Sequence, residues 1–392
     1  MAAKKRVIVK KRSRMKLSVV EGDLKIGKKA TIVAEADTII VKGRVKNKGG
    51  FKCKGNLEAL SVDSEKGSVT IYGDLKVKRE VEVDVKLTVK GSLEAEEVSV
   101  GMTIIVDENA KVEKISSGMN IIIKGNTEAE KVSVGNKVSL YGKNKVDIIS
   151  AGRRINLYGP SEVMKVSAGA KVVAHGSKIE KASAGMSLIF KDGAEIGKAS
   201  AGLSIKFYGK SQVDSASAGF RIKATKDLIF GNLSAGFGIK LFKDASGESA
   251  SAGFSIQSKE NLNLEDKISA GFGCYIRKTL TGGKISSGKK IKATLIKAKQ
   301  IDVPRRGKLV GVVIADRVVL NERAQAKNLY VTDLEMYEKS KARNVFAENI
   351  TIEDGARLSG IVEYTGSLDA EEGAKIKAKP KKMEALPSPK AK

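Results

Sequence analysis

Residues 200–219 read SAGLSIKFYGKSQVDSASAG, a stretch that begins and ends with the same Ser-Ala-Gly triplet. Over residues 99–288 a triplet of serine, one further residue and glycine occurs twelve times, at intervals of 16 to 18 residues. A fixed interval of this kind is the sequence signature of a repeat architecture. The triplet glycines are Gly101, Gly118, Gly135, Gly152, Gly169, Gly185, Gly202, Gly219, Gly236, Gly253, Gly271 and Gly288.

Each repeat carries the alternation of a β-strand. Ile205 and Phe207 are apolar, and polar residues stand before and between them. Alternation with a period of two indicates a strand that buries one face. A second turn follows near Gly209, and the apolar pattern then resumes. No stretch has the 3.6-residue period of a helix, so the helical repeat families are excluded.

The interval and the alternation together predict an all-β fold, a single-stranded parallel β-helix (β-solenoid) with about 17 residues per rung and roughly 20 rungs. Successive rungs would stack about 4.8 Å apart, so that identical positions form columns. The glycine column would occupy a corner that requires positive φ. The serine column would satisfy itself, because each hydroxyl can donate to one neighbour and accept from another. A row of nucleophilic serines is disfavoured, because no base accompanies them.

The chain divides into three predicted segments. Residues 1–16 are predicted to be a basic disordered arm, since they carry eight basic residues and no acid. Residues 17–373 are predicted to be one continuous β-helix, with a helical turn over 332–342 as a minor alternative. Residues 374–392 are rich in lysine and proline and are predicted to be a disordered tail.

Positive charge dominates the composition, with 72 Lys and Arg against 45 Asp and Glu and a net charge of +27. An excess of this kind suits an anionic partner such as a nucleic acid or an anionic membrane surface. For the stacked lysines of the repeats a plain solvated face is favoured, and an anion-binding stripe is the alternative. Two groups of residues are candidates for anion binding, the N-terminal arm and a column of stacked lysines in the repeats. They are Lys4, Lys5, Arg6, Lys10, Lys11, Arg12, Arg14 and Lys16, and Lys206, Lys223 and Lys240.

A second column stands directly after the triplet glycine and becomes aromatic in the later repeats. Its members there are Met186, Leu203, Phe220, Phe237, Phe254 and Phe272, whereas Asn136 and Arg153 occupy the same position earlier. The pattern favours phenylalanines that turn inward and stack in the core. An exposed apolar seam for a partner is the alternative.

The residues of common catalytic and metal sites are missing from the sequence. His175 is the only histidine, and its place before Gly176 indicates a corner residue. The chain has no HExxH motif and no P-loop, and Cys53 and Cys274 stand too far apart for a CxxC pair. We therefore expect no catalytic, cofactor or metal site, no enzymatic activity, no small-molecule substrate and a reducing compartment.

Several segments resemble the bactofilins, a family of polymer-forming cytoskeletal proteins. Gly55-Asn56-Leu57, Gly73-Asp74-Leu75 and Gly91-Ser92-Leu93 mark rungs at intervals of 18, and residues 350–366 read ITIEDGARLSGIVEYTG. The resemblance implies a three-sided β-helical rod that polymerises end to end without nucleotide and attaches to membrane through a short N-terminal segment. The Ser-Ala-Gly repeats depart from that family, whose members have a much shorter core.

The sequence thus favours a non-enzymatic structural scaffold, a bactofilin-like cytoskeletal protein that self-assembles into a filament without nucleotide. Its partner would be a second copy, joined end to end or laterally. The alternative is a basic β-helical protein that binds nucleic acid or an anionic membrane. Residues 1–16 lack the apolar core of a signal peptide, so we expect a cytoplasmic location, with the inner face of the membrane as the alternative site.

Overall fold

The predicted β-solenoid is confirmed by a computed structural model, which describes residues 6–389. The described residues contain strands and turns and no α-helix, and the strand pairs are parallel. The strands stack as about 22 turns, roughly 17 residues apart. The chain comprises two compact units, which divide between Ile196 and Gly197.

The first unit contains twenty-two complete strands. These are β1 (Val7–Val9), β2 (Arg14–Leu17), β3 (Val19–Val20), β4 (Leu24–Ile26), β5 (Ala30–Lys48), β6 (Phe51–Glu65), β7 (Ser68–Ile71), β8 (Leu75–Val77), β9 (Glu80–Val83), β10 (Lys86–Val89), β11 (Leu93–Val100), β12 (Thr103–Val106), β13 (Ala110–Ser117), β14 (Asn120–Ile123), β15 (Thr127–Val134), β16 (Lys137–Leu140), β17 (Asn144–Ala151), β18 (Arg154–Leu157), β19 (Ser161–Ala168), β20 (Lys171–His175), β21 (Lys178–Ala184) and β22 (Ser187–Lys191). The division between the units falls within β23 (Ala194–Ala201).

The second unit contains the remaining strands. These are β24 (Ser204–Phe207), β25 (Ser211–Ala218), β26 (Arg221–Ala224), β27 (Leu228–Ala235), β28 (Gly238–Leu241), β29 (Ala245–Ala252), β30 (Ser255–Ser258), β31 (Leu262–Ala270), β32 (Gly273–Ile276), β33 (Thr279–Ser287), β34 (Lys290–Val303), β35 (Lys308–Leu320), β36 (Asn328–Met336), β37 (Lys341–Ala342), β38 (Asn344–Ile352), β39 (Arg357–Leu358), β40 (Val362–Tyr364), β41 (Leu368–Ala370), β42 (Lys375–Ile376) and β43 (Lys381–Lys382).

A regular turn has three sides, built from one short strand and one longer strand. In the turn of β14 and β15, each strand pairs in parallel with the equivalent strand of the next turn, β16 and β17. Within β15, Glu130 and Lys131 are consecutive and both exposed, which interrupts the alternation. The longer strand therefore bends there and supplies two sides. We call the short strand side A, the first half of the long strand side B, and its second half side C.

The interior is a stack of the apolar residues that the alternation predicted. In β24, Ile205 and Phe207 are 0% and 1% exposed, while Lys206 between them faces outward. The same inward pair repeats in β26 and β28. The middle residue of the triplet is also buried, as at Ala218 and Ala235. Side A and side C thus share one apolar core.

The reason proposed for the glycine column is wrong. Within residues 6–389 the glycines with positive φ are Gly49, Gly50, Gly55, Gly176, Gly193, Gly311 and Gly355, and none belongs to a triplet. What the triplet glycines lack is space for a side chain. A Cβ on Gly236 would collide with the carbonyl oxygen of Gly219, and a Cβ on Gly253 with that of Gly236. The close approach of successive turns at this corner, and not the backbone conformation, requires glycine.

The serine column forms hydrogen bonds between turns, as predicted. The Ser183 hydroxyl donates to Ser167 Oγ over 3.1 Å, and the Ser116 hydroxyl lies 3.4 Å from Ser99 Oγ. The Ser286 hydroxyl donates instead to the carbonyl oxygen of Ile268. The column therefore has a structural role, which needs no catalytic base.

Strand pairing extends beyond the predicted boundaries of the β-helix at both ends. Residues 7–9 and 14–17 form β1 and β2, which pair with β4 and β5, so the predicted disordered arm is wrong for these residues. Val9 and Leu17 are buried, and backbone hydrogen bonds, such as that from the Val7 amide to the Asp23 carbonyl oxygen, join the segment to the next turn. Lys4 and Lys5 lie outside the described residues.

Near the other end, β42 pairs with β39 and β43 with β40, within the predicted disordered tail. The minor alternative of a helical turn is also wrong, because β36 and β37 lie there.

We expect Gly236→Ala to destabilise the protein, because the added methyl group would force two turns apart. The expected loss in the free energy of unfolding is about 1–3 kcal/mol, the usual cost of overpacking. The matched control is Ser234→Ala at the exposed neighbour, with a loss within about 0.5 kcal/mol. Urea denaturation followed by circular dichroism measures both, and equal losses would contradict the steric role of the glycine column.

We expect both cysteine thiols to be inert in the folded protein. Cys53 and Cys274 are free and buried, and burial raises the pKa of each thiol to about 12. Since the thiolate is the reactive form, a thiol reagent such as DTNB should label neither residue at pH 8. Both should be labelled in guanidinium chloride. Rapid labelling of the folded protein would show that the turns around these residues open easily.

Candidate functional site

One face of the second unit carries basic residues and no acidic ones. It consists of the side A strands from β24 to β34 with the corner residue on either side, and we call it the basic face. It comprises residues 203–208, 220–225, 237–242, 254–259, 272–277 and 289–294. Between residues 203 and 294 there are seven acidic residues, and none lies on this face. Nine of the fifteen basic residues in that interval do: Lys206, Arg221, Lys223, Lys240, Lys259, Arg277, Lys289, Lys290 and Lys292.

Alternation along side A explains why these charges point outward. The inward positions hold Ile222 and Ile239, which are buried, and the charged residues stand between or beside them. The parallel register places each outward residue opposite the equivalent residue of the next turn. Lys206 therefore lies opposite Lys223, and Lys223 opposite Lys240. Within the described residues, none of the nine forms an ion pair with a carboxylate. Ion pairs occur on other surfaces, as between Lys284 and Asp302 at 3.1 Å.

The phenylalanine column is exposed, so the favoured prediction of a core stack is wrong and its alternative describes the structure. Leu203, Phe220, Phe237 and Phe254 are 50%, 46%, 38% and 41% exposed, and Phe272 is half-buried. The inward position at this corner is occupied two residues earlier by the buried alanine of each triplet, as at Ala218 and Ala235. We call this row of side chains, residues 203, 220, 237, 254 and 272, the apolar ridge.

The rings of the apolar ridge stack on one another along the direction of the turns. The ring centroids of Phe220, Phe237, Phe254 and Phe272 are separated in succession by 4.9, 4.9 and 4.8 Å, with interplanar angles of 15°, 7° and 8°. Each inner ring therefore has a phenylalanine against both of its faces and presents its edge to solvent. Cations lie against the row as well, with the Arg221 guanidinium 5.2 Å from the Phe220 ring and Lys289 Nζ 5.0 Å from the Phe272 ring.

Three lysines surround a single aromatic ring at the other margin of the basic face. The ammonium groups of Lys223, Lys240 and Lys259 lie 5.1, 5.3 and 4.8 Å from the centroid of Phe242. We call these four residues the lysine cluster. Cation–π attraction to the ring offsets part of the repulsion between the like charges. Phe242 thus supports two members of the predicted lysine column, Lys223 and Lys240, together with Lys259 of a neighbouring column.

A shallow depression borders the lysine cluster. Lys240, Lys259, Gln257 and Tyr275 supply its polar side chains, and Leu241 and Ser258 complete it. Ammonium, amide and phenol groups can all donate hydrogen bonds, and the depression contains no carboxylate. This combination suits an oxyanion such as a phosphate group.

The other predicted anion-binding residues lie on the first turn of the first unit. Arg6, Lys10, Lys11, Arg12, Arg14 and Lys16 are all exposed. Arg14 and Lys16 face outward from β2, opposite Thr31 and Val33, and Lys52 and Lys54 follow on the next turn. These residues form a basic patch of their own in the first unit, and their binding of an anion stays a prediction.

Elsewhere in the first unit, charge is neutralised between turns along side B and around Asp107, whereas side A also stacks the basic residues Lys137, Arg154 and Lys171. On side B, Lys76, Glu94, Lys111, Glu128, Lys145 and Glu162 are successive neighbours of alternating sign. On side A, Asp107 lies between Lys90 and Lys124, with a distance of 2.8 Å to each ammonium group. Hydrogen bonds from Lys124 and Lys90 lower the pKa of the Asp107 carboxyl. The fold therefore permits both neutralised and uncompensated charge, and the residue type at each outward position decides between them.

His175 is a corner residue, as predicted. It ends β20, its Nδ1 lies 2.7 Å from Asp192 Oδ2, and Gly176 follows with a φ of 53°. Among residues 6–389, no three side chains of His, Cys, Asp or Glu lie close enough together to hold a metal ion. Nor does any helix in that part of the chain have the length and apolarity to span a membrane.

Several residues of the basic face were not identified from the sequence. Gln257 and Tyr275 continue the column of Lys206, Lys223 and Lys240, as the sequence indicated. Phe242 and Lys259 belong to another column, and only the fold shows that the two columns meet. One signal was available, because eleven of the twelve six-residue segments that follow a triplet glycine contain no acid, including all six of the basic face. Comparison of the chain with family models, with curated proteins and with solved structures found no match. The resemblance to bactofilins therefore stays a prediction.

We expect the apolar ridge to contribute less to stability than the residue that faces inward beside it. Phe254→Ala removes a half-exposed ring and its stacking contacts, at a cost of about 1 kcal/mol. Ile256→Ala leaves a cavity in the core and should cost about 2–5 kcal/mol. Urea denaturation compares the two variants, and a larger loss for Phe254→Ala would mean that the ridge faces the core.

Proposed function

We propose that this protein is a non-enzymatic structural scaffold that binds an anionic partner through the basic face. The observation that supports this most is the segregation of charge in the second unit, where nine basic residues and no acid share one face. Like charges stacked on neighbouring strands repel each other, which costs stability. A face that bears this cost without ion pairs is suited to a partner that supplies the negative charge.

Two physical features make the basic face effective for such a partner. Its charges are carried by paired strands, so they are held in a fixed array about 4.8 Å apart along the stack. Their fields add, because each lies within a Debye length of the next at physiological salt. Binding would then depend on charge density and not on the sequence of a polymer, and it would weaken steeply as salt releases the counterions.

The test is a pair of matched charge variants. Lys206→Glu, Lys223→Glu and Lys240→Glu together reverse three charges of the basic face, while Lys198→Glu, Lys267→Glu and Lys297→Glu reverse three exposed charges elsewhere. At about 1 kcal/mol for each charge near an anionic surface, the first variant should bind phosphatidylglycerol vesicles or single-stranded DNA at least about a hundredfold more weakly. Binding is measured by titration at several salt concentrations. Equal losses in the two variants would contradict a specific role for the basic face.

Self-assembly without nucleotide, as in the bactofilins, is a second candidate function. The supporting observation is the first turn, where β1 pairs with β4 on one edge and has no described strand on its other edge. An open strand edge is a template for another chain. The last described turn is a poorer template, since Pro380, Pro387 and Pro389 cannot donate a backbone hydrogen bond.

We expect Ile8→Pro to reduce self-assembly while Ile8→Ala leaves it unchanged. The Val7 amide donates to Asp23 within the chain, so the alternate amide of Ile8 faces away from the neighbouring turn. Proline at that position removes an outward donor and leaves the internal bond in place. Light scattering over a wide range of protein concentration measures the assembly. A wild-type protein that stays monomeric throughout would exclude this second function.

A further inference from the structure

We propose that the basic face docks on an anionic lipid membrane, with the edges of the apolar ridge at the boundary between headgroups and acyl chains and the lysine cluster on lipid phosphates. This rests on the proposed function and names its partner. It differs from attachment through an N-terminal segment, because the contacting residues belong to the second unit. The ridge, the ring geometry and the lysine cluster each support it.

The apolar ridge gives the face an amphipathic cross-section. Four of its large side chains are 38% to 50% exposed, and they follow one another from turn to turn in a single row. Large apolar side chains are normal on a protein surface when scattered, whereas a contiguous row indicates an interaction site. Beside this row lie only cationic and neutral residues. Apolar side chains flanked by lysine and arginine are typical of elements that lie in the plane of a membrane interface.

The stacking of the rings disfavours single-stranded nucleic acid as the partner of the ridge. Proteins that bind single strands stack bases on the faces of aromatic side chains. A base inserted between two rings would need about 6.8 Å between them, twice the stacking distance of neighbouring bases. The centroids of Phe237 and Phe254 are 4.9 Å apart, and their planes differ by 7°. The inner faces are therefore already occupied, and the edges that remain suit acyl chains better than bases.

The lysine cluster supplies the polar part of the contact. Lys223, Lys240 and Lys259 hold three ammonium groups around the ring of Phe242, and Gln257 and Tyr275 border the depression beside them. Each of these groups can donate to a phosphate oxygen. Cations of this kind are attracted to the anionic leaflet of a membrane, and the attraction falls off within a Debye length. Ridge and cluster lie on the same face, so one membrane surface can contact both.

Flotation with vesicles tests the proposal, using phosphatidylcholine vesicles with and without phosphatidylglycerol. The full chain should float only with the anionic vesicles. The double variant Phe237→Ser and Phe254→Ser should bind them at least about tenfold more weakly, because it removes apolar area from the contact. Its affinity for single-stranded DNA should stay unchanged, since its charge is unchanged. The control is Ile229→Ser, which alters a 57% exposed apolar residue on side B and should leave vesicle binding unchanged.

A second pair of variants separates this proposal from the proposed function. Lys223→Gln, Lys240→Gln and Lys259→Gln should weaken binding to anionic vesicles, and the control Lys198→Gln, Lys267→Gln and Lys297→Gln should do so much less. If the charge variants behave in this way but the serine variant floats like the wild type, the proposed function stands and the membrane contact of the ridge is overturned. A wild-type protein that binds DNA but no anionic vesicle overturns it too. The membrane contact is also overturned if light scattering without lipid shows that the ridge joins two copies of the chain.

Discussion

The structure depends on how closely successive turns approach at the glycine corner. There the carbonyl oxygen of one triplet glycine lies where a side chain of the next would begin, as between Gly219 and Gly236. This contact holds the register of the parallel strands, because a slip by one residue would place a side chain against backbone. Every other column follows from that register. Inward positions become the core, and each outward position becomes a row of equivalent side chains from turn to turn.

A fixed register also explains how the residue type at one outward position of the repeat determines the chemistry of a whole face. In the first unit, Lys and Glu alternate along side B, so neighbouring turns neutralise each other. On side A, basic residues recur from turn to turn, as at Lys206, Lys223 and Lys240 in the second unit, and the charge accumulates instead. The same rule stacks Phe237 on Phe254. The fold therefore converts a repeated residue type into an extended surface, which a membrane or a polymer can contact at many points.

The repeat interval and the alternation were sufficient to predict the solenoid and its inward residues, since both depend only on local periodicity. Ile205 and Phe207 are buried as expected, and His175 ends a strand at a corner. The orientation of Phe220 could not be predicted, because a residue next to a corner can turn either way and only the packing of the neighbouring turn decides. Val9 and Leu17 anchor a segment too short for periodicity to detect. The cluster around Phe242 joins different columns, and the spacing of one column does not predict the angle to another.

Tryptophan fluorescence can test directly whether the apolar ridge contacts lipid, because the chain contains no tryptophan of its own. A single Phe254→Trp substitution would place a fluorescent reporter in the ridge, and Ile229→Trp would place one on side B. With phosphatidylglycerol vesicles, we expect the emission of the ridge tryptophan to shift to shorter wavelength and to become protected from aqueous iodide, while the side B reporter stays unchanged. A ridge tryptophan that remains fully quenched by iodide on bound vesicles, or a side B reporter that shifts equally, would contradict docking through the basic face.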